Sequence, residues 1–158
     1  QGVHTAVETT GCGSWDSLYE ICRKTDLIYY DIKLLDSELH RKFTGMSNDV
    51  ILRNLRRLSE NREAVGEIVV RIPCIPGIND HKEQIEQTAR FVSELKLSFL
   101  ELLPYNEAAG AKYMWLFQDY SLQKLHTRKK EYYEELQKYV SQFGLLPYGL
   151  GHGRRKEK

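Results

Sequence analysis

The stretch LIYYDIK at residues 27–33 indicates the kind of fold. Its β-branched and aromatic side chains predict a buried strand that ends in two polar residues, Asp31 and Lys33. A second stretch, GEIVVRIP at residues 66–73, predicts another strand, because Pro73 cannot continue a hydrogen-bonded ladder. The chain therefore contains at least two buried strands separated by a segment long enough for helices.

Two further strands and several helices extend this pattern along the chain. The β-favouring stretch at residues 2–9 and SFLELL at residues 98–103 predict the first and the fourth strand. Apolar residues at helical spacing predict a helix after each strand, starting at Ser14, at residues 47–49, at the capping pair Asn79-Asp80 and at residue 118, the last one running to residue 143. This alternation predicts an α/β fold built of parallel βα repeats.

Four strands leave two arrangements open. A closed (β/α) barrel needs about eight strands, so the four repeats predict either part of a barrel or an open, doubly wound sheet. We assign residues 1–150 to one domain and residues 151–158 (GHGRRKEK) to a flexible basic tail.

The composition excludes several classes of protein. With 23 Lys and Arg against 22 Asp and Glu, the chain lacks the basic excess of a general nucleic-acid binder. It has no apolar run of about 20 residues that would span a bilayer. Its three cysteines, Cys12, Cys22 and Cys74, lack CxxC spacing, which favours a reducing cytoplasm over a disulfide framework or a zinc site.

Polar side chains follow every predicted strand, at the point where the strand ends. Since the carboxyl ends of parallel strands lie on one rim, we expect these groups to converge on a shared cavity. Arg71 suits a carboxylate or phosphate, and the carboxylates suit an ammonium or a metal cation, so the set suits a zwitterionic or anionic ligand. The set comprises Glu8, Thr9, Asp31, Lys33, Arg71 and Asn106.

Three other interpretations stay open at this point. Asp31 and Lys33 lie on one face of a strand and can simply neutralise each other. Lys33 can also serve as the Schiff-base amine of a barrel aldolase or decarboxylase, with its pKa lowered by burial. A third hypothesis is a protein-binding module that docks through the aromatic residues at 113–120.

The order of six motifs resembles the glycyl-radical-enzyme activating enzymes, the family of pyruvate formate-lyase activating enzyme. The resemblance covers residues 2–143. The motifs are GVHT at 2–5, ETTG at 8–11, YDIK at 30–33, FTGMSN at 43–48, RIP and IPGIND within 71–80, and LLPYN at 102–106.

The resemblance implies a fold and two cofactors. The family belongs to the radical S-adenosylmethionine (SAM) superfamily, whose partial (β/α)6 TIM-like barrel holds a 4Fe-4S cluster on a CxxxCxxC loop. This chain has neither that loop nor the Gly-Gly-Glu segment of the family. The resemblance therefore implies the last four strands of the barrel, as a carboxyl-terminal fragment that is inactive by itself.

The resemblance also implies roles for individual residues. Glu8, at the family's Asp position, would form a monovalent-cation site with Thr9, Asp31 and the carbonyl around Tyr29. Lys33 and Arg71 would contact S-adenosylmethionine directly. The cofactor-binding set is completed by Asn106, which stands where the family often has His.

In the complete enzyme, as the resemblance implies, a reduced cluster cleaves S-adenosylmethionine to a 5′-deoxyadenosyl radical. That radical removes a hydrogen atom from a glycine of a partner such as pyruvate formate-lyase. The implied setting is an anaerobic cytoplasm with flavodoxin or ferredoxin as electron donor. We expect the fragment to self-associate through its exposed sheet edge at residues 3–8.

Overall fold

Four parallel strands form one sheet in chain order. The structure is a computed structural model that describes residues 2–117, 119–120, 122 and 124–148, less the side chains of residues 109, 111, 112 and 114. The predicted tail at residues 151–158 lies outside the described residues. The strands are β1 (Ala6–Thr9), β2 (Leu27–Asp31), β3 (Glu67–Pro73) and β4 (Phe99–Leu103).

Six α-helices and one 3-10 turn connect or follow these strands within the described residues. No helix there has the length and apolar character needed to cross a membrane. The helices are α1 (Trp15–Cys22), α2 (Ser37–Thr44), α3 (Asp49–Glu60), α4 (Lys82–Glu94), α5 (Gly110–Trp115) and α6 (Lys130–Ser141), and the 3-10 turn Glu107–Ala109 precedes α5.

The strand order separates the two arrangements that the sequence left open. The order β1-β2-β3-β4 has no point at which the direction of winding reverses, whereas a doubly wound sheet must have one. Successive crossovers of one hand therefore stack the helices on one face of the sheet. The predicted parallel βα repeats are confirmed, and the doubly wound alternative is wrong.

The two faces of the sheet differ in chemistry. Ile28, Tyr30 and Ile32 point to the helix-covered face and belong to the main hydrophobic core. Tyr29 and Asp31 alternate with them and lie on the opposite side, which we call the open face. Further members of the open face follow from the strand register: Glu8, Val69, Arg71, Phe99 and Glu101.

The amino end of the open face is apolar except for the exposed Glu67, which lies opposite Leu27. Leu27 and Val69 are buried there, outside the helix-packed core. The ring of Tyr148, from the segment after α6, packs edge-on against Phe99 and Tyr29 with centroid distances of 5.1 and 6.2 Å. Toward the carboxyl ends of the strands, the polar groups around Arg71 therefore lie next to a layer of aromatic rings.

The loop after β3 holds the exits of two strands together. The buried side chain of Asn79 donates from Nδ2 to the carbonyl oxygens of Lys33 and Pro73, at 2.7 and 2.9 Å, and accepts from the Ile75 N–H at 2.6 Å. Asp80 is fully buried and accepts from the Gly77 N–H at 2.7 Å. The predicted capping role of this pair is wrong: His81 is the N-cap residue of α4.

Two helix predictions also differ from the structure. Helix α2 was not predicted, although Asp36 caps its first turn and Gly45 ends it at a φ of 83°. The last helix starts at Lys130 and not at residue 118. The preceding segment instead forms side-chain contacts, such as that of Tyr105 Oη with Tyr120 Oη at 2.7 Å.

Candidate functional site

A buried arginine on the open face joins residues from three strands. Arg71 Nε donates to Asp31 Oδ1 at 2.9 Å, Nη2 lies 2.9 Å from the same oxygen, and Nη1 donates to Glu8 Oε1 at 2.9 Å. We call these three residues the Arg71 cluster. The side chain of Arg71 is 10% exposed, so its charge depends on these partners.

The strand register accounts for this geometry. Asp31 lies directly opposite Arg71 in the β2–β3 pair, and Glu8 lies opposite Tyr29 in the β1–β2 pair. The Arg71 side chain crosses the ring of Tyr29, with the guanidinium carbon 4.6 Å from the ring centroid. The planar guanidinium therefore has an aromatic support as well as two carboxylates.

The carboxylates keep the guanidinium charged. Burial lowers the pKa of Arg71, but hydrogen bonds and charges from Glu8 and Asp31 outweigh it, and the pKa is raised overall. The hydrogen bond and the charge of Arg71 in turn hold the pKa of Glu8 below its usual value, against a small effect of burial.

The two carboxylates differ in exposure. The side chain of Glu8 is 68% exposed, whereas that of Asp31 is only 20% exposed. A solvated carboxylate gives up its partner at lower cost than a buried one. A ligand carboxylate can therefore replace Glu8 on Nη1 while Asp31 keeps the guanidinium in place.

Sequence reasoning missed one acidic residue of this face. Glu101 pairs with Arg71 in the register of β3 and β4, is half-buried and lies on the same side of the sheet. Burial raises the pKa of Glu101, and the charge of Arg71 opposes this increase without cancelling it. In SFLELL, Glu101 lies between Leu100 and Leu102 and therefore on the other face of the strand from these two leucines, but the register that places it opposite Arg71 cannot be read from this strand alone.

Two predicted residues have their side chains engaged elsewhere. Thr9 follows Glu8 in β1, and its Oγ1 accepts from the Gly11 N–H at 2.9 Å. The Oδ1 atom of Asn106 accepts from the Ala108 N–H at 3.0 Å and caps the 3-10 turn after β4. Each of these two side chains thus accepts a hydrogen bond from a nearby backbone N–H and not from a residue of the Arg71 cluster.

Lys33 lies at the exit of β2. It lines a cavity of about 150 Å³ between the ends of the strands and α4, together with Asn79, Gln84 and Thr88. Among the described residues no ion pair to Lys33 occurs, and Asp31 is bonded to Arg71 instead. Mutual neutralisation of Asp31 and Lys33, one of the sequence-based alternatives, is therefore wrong.

The cysteines do not form a metal centre in the described part of the chain. Cys12 is exposed, whereas Cys22 and Cys74 are buried, and burial raises their pKa values to about 11 and about 12. No group of three or more His, Cys, Asp or Glu side chains suited to a metal ion occurs within the described ranges. These residues do not fit a 4Fe-4S cluster, which needs converging thiolates.

Curated relatives were found by sequence comparison, whereas no family model matches. The isethionate sulfite-lyase activating enzyme of Oleidesulfovibrio alaskensis is 43% identical over 114 residues, which is 72% of this chain and 36% of that protein. The trans-4-hydroxy-L-proline dehydratase activating enzyme of Clostridioides difficile is 34% identical over 140 residues, 87% of this chain and 45% of that protein. The chain thus spans less than half the length of these curated relatives.

Solved structures share the fold. A domain of pyruvate-formate lyase-activating enzyme from Bacteroides vulgatus ATCC 8482 matches with a TM-score of 0.72 and 28% identity, over 93% of this chain and 81% of that chain. A radical SAM methyltransferase from Sphaerobacter thermophilus matches with a TM-score of 0.62 and 14% identity, over 90% of this chain and 38% of that chain. The second likeness concerns the fold alone.

The sheet order and these structural matches define the class: the chain has the partial barrel fold of radical SAM proteins, as predicted. Within that class its homologues are the glycyl-radical-enzyme activating enzymes, to which the chain is related at 34 to 43% identity. The predicted family resemblance is therefore confirmed.

Proposed function

We propose that this chain is the part of a glycyl-radical-enzyme activating enzyme that binds S-adenosylmethionine. The whole enzyme would generate a glycyl radical on a partner such as pyruvate formate-lyase. The observation that carries this proposal is the Arg71 cluster, in which one buried guanidinium meets Glu8 and Asp31 on the open face. Homology to activating enzymes of several glycyl radical enzymes supports the reaction class.

The donor set fits the amino acid portion of S-adenosylmethionine. The guanidinium of Arg71 would take the carboxylate of the ligand in place of the exposed Glu8. Glu8 and Asp31 suit the ammonium group or a monovalent cation, because both offer hard carboxylate oxygens. Bound S-adenosylmethionine would supply the 5′-deoxyadenosyl radical, and the residues of this chain would bind and orient it.

The remaining assignments of the site are part of the same proposal. We propose the monovalent-cation site at Glu8, Thr9, Asp31 and the Tyr29 carbonyl. Lys33 and Asn106 would contact the cofactor from the strand exits, where both residues lie. The 4Fe-4S cluster would take its cysteines from outside these 158 residues, since CxxxCxxC spacing is absent from the chain.

The partners and the setting are proposals as well. A glycyl radical enzyme would be the substrate and flavodoxin or ferredoxin the electron donor. A reducing, anaerobic cytoplasm fits the three free thiols of Cys12, Cys22 and Cys74. The net charge of +1 argues against nucleic acid as a partner.

Residues 1–150 would form one domain. Strand β1 has β2 as its one neighbour in the described sheet, which supports self-association at that edge.

The alternative of an aldolase or decarboxylase that uses Lys33 is not favoured. The relatives found are activating enzymes of glycyl radical enzymes.

Calorimetric titration of the chain with S-adenosylmethionine tests the proposed site. We expect the wild type to bind and Arg71→Gln to bind roughly tenfold or more weakly, because a charge-assisted hydrogen bond to the carboxylate is lost. Arg53→Gln is the matched control, since Arg53 is exposed on α3. Equal binding by both variants, or no binding by the wild type, would contradict the proposal.

The activity of the whole enzyme needs a second measurement. The full-length protein carrying this chain, reduced and supplied with S-adenosylmethionine, should produce the electron paramagnetic resonance signal of a glycyl radical on its partner. The same protein with Arg71→Gln should produce much less of this signal, whereas Arg53→Gln should match the wild type. A full signal from the Arg71 variant would exclude the cluster from the reaction.

A further inference from the structure

Glu101 stands apart from the Arg71 cluster in its hydrogen bonding. It lies opposite Arg71 across the β3–β4 pair and on the same open face. The donors of Arg71 are directed to Asp31 and Glu8, at 2.9 Å each. Across the described part of the chain, no hydrogen bond or ion pair reaches the Glu101 carboxyl. Glu101 is thus a half-buried carboxyl without a bonded partner.

The charges of the open face do not balance. Three carboxyl groups, those of Glu8, Asp31 and Glu101, surround the one guanidinium of Arg71. A carboxylate that loses part of its solvent costs free energy unless a positive group compensates it. Within the described residues, the carboxyl groups around Arg71 thus outnumber the cations, and Glu101 is the carboxyl group that is not bonded to one.

The neighbours of Glu101 supply no such charge. Its partner on β3 is Arg71, which two carboxylates already hold, and the next residue across on β2 is Asp31. Tyr148, from the segment after α6, packs its ring on Phe99, two residues before Glu101. The pKa of the Tyr148 phenol is raised, mainly by burial and in smaller part by the negative charge of Glu101. Among the described residues, Arg71 is the one cation that faces Glu101, so a bound ligand can supply further positive charge at this position.

We propose that Glu101 is a specificity-determining residue of the S-adenosylmethionine site, whose carboxylate receives a positively charged group of the ligand. The inference rests on the proposed function and deepens it, because it assigns the selection for a cationic ligand to one residue. Arg71 would bind the ligand carboxylate, and Glu101 would favour a ligand that also carries positive charge.

The proposal predicts a proton linkage with a definite sign. In the free protein burial raises the pKa of Glu101, and the charge of Arg71 opposes this increase without cancelling it. A ligand cation favours the carboxylate and lowers this pKa, so binding releases a proton. Affinity should then rise with pH through the titration range of Glu101 and become constant above it.

Calorimetry with S-adenosylmethionine between about pH 5 and pH 7.5 tests this linkage. We expect Glu101→Gln to bind about tenfold or more weakly at the upper end, with the difference from wild type shrinking as the pH falls. Titrations in buffers of different ionisation enthalpy should show proton release for the wild type and less for this variant. The control is Glu60→Gln, an exposed residue at the end of α3 that should behave as the wild type.

The outcomes separate the two proposals. Wild-type binding with an unchanged pH profile and proton release in Glu101→Gln would overturn the role of Glu101 and leave the Arg71 site intact. Absence of wild-type binding would overturn both. Glu101→Asp keeps the charge and guards against a purely structural effect: it should recover pH-dependent binding, and failure to recover it in a folded variant would also overturn the proposal.

Discussion

Asn79 donates a hydrogen bond of 2.7 Å from its side-chain amide to the main-chain carbonyl of Lys33, 46 residues earlier in the chain. The same amide bonds the Pro73 carbonyl at the end of β3. One buried side chain thus fixes the distance between the exits of β2 and β3. Asp31 is the last residue of β2, and Arg71 lies two residues before the end of β3.

Asn79→Ala should therefore destabilise the protein and loosen the site. The change leaves two carbonyls and one N–H without their partner in a buried place, which we expect to lower the free energy of unfolding by about 2 to 4 kcal/mol. Urea unfolding followed by circular dichroism measures this. Asn61→Ala is the control: its single bond to the Arg57 carbonyl is exposed, and its loss should cost about 1 kcal/mol or less. Equal losses for both variants would contradict the role of Asn79.

Gly11→Ala should be much more damaging than Gly13→Ala, two residues away. A Cβ on Gly11 would lie 1.7 Å from Tyr30 Oη, and Gly11 has a φ of +66°, whereas a Cβ on Gly13 meets no atom within 4 Å. Overpacking and the left-handed backbone together predict a loss of roughly 2 to 4 kcal/mol for Gly11→Ala. Thermal unfolding of both variants checks this, and similar midpoints would show that the turn rearranges freely.

Arg71→Gln should raise the pKa of two carboxyl groups at once. Glu8 loses a hydrogen bond and a charge that lower its pKa, and Glu101 loses a charge that opposes the effect of burial. Because the pKa of Glu8 is depressed in the folded state, its contribution to stability is present above about pH 4.5 and is lost as the pH falls further. Carbon-13 NMR titration of the glutamate carboxyls measures these shifts.

The control for that titration lies within the same sample. Glu20 is bonded to Arg23 and Lys24 on the surface and not to Arg71, so its depressed pKa should not change. If the pKa values of Glu8 and Glu101 stay the same in Arg71→Gln, then the hydrogen bonds and charges described for the open face do not hold in solution.

The parallel strands could be predicted from sequence because the information is local. Residues 27–33 and 66–73 each carry a run of β-branched and aromatic side chains that only a buried strand accommodates. Helix α2 escaped prediction because its one buried residue is His40 and its apolar residues are a single pair, Leu39 and Phe43. Its signals were the capping residues Asp36 and Gly45.

The site was predicted in part for a similar reason. Strand-end positions identified Asp31 and Arg71, which the structure joins, but they did not identify Glu101, whose position depends on the register of β3 with β4. Register is a property of the sheet and cannot be read from one strand. The side chain of Thr9 accepts a hydrogen bond from the Gly11 N–H of its own turn. Such local hydrogen bonds compete with contacts to residues that are distant in the sequence.

The stacking of Arg71 on Tyr29 means that the cation is oriented before a ligand arrives. Two carboxylates and a ring already restrict its rotamers, so recognition of a carboxylate costs little further side-chain entropy. In the proposed site, a ligand carboxylate would replace Glu8 as the acceptor at Nη1 of Arg71. The guanidinium plane would keep the orientation that Asp31 and Tyr29 give it.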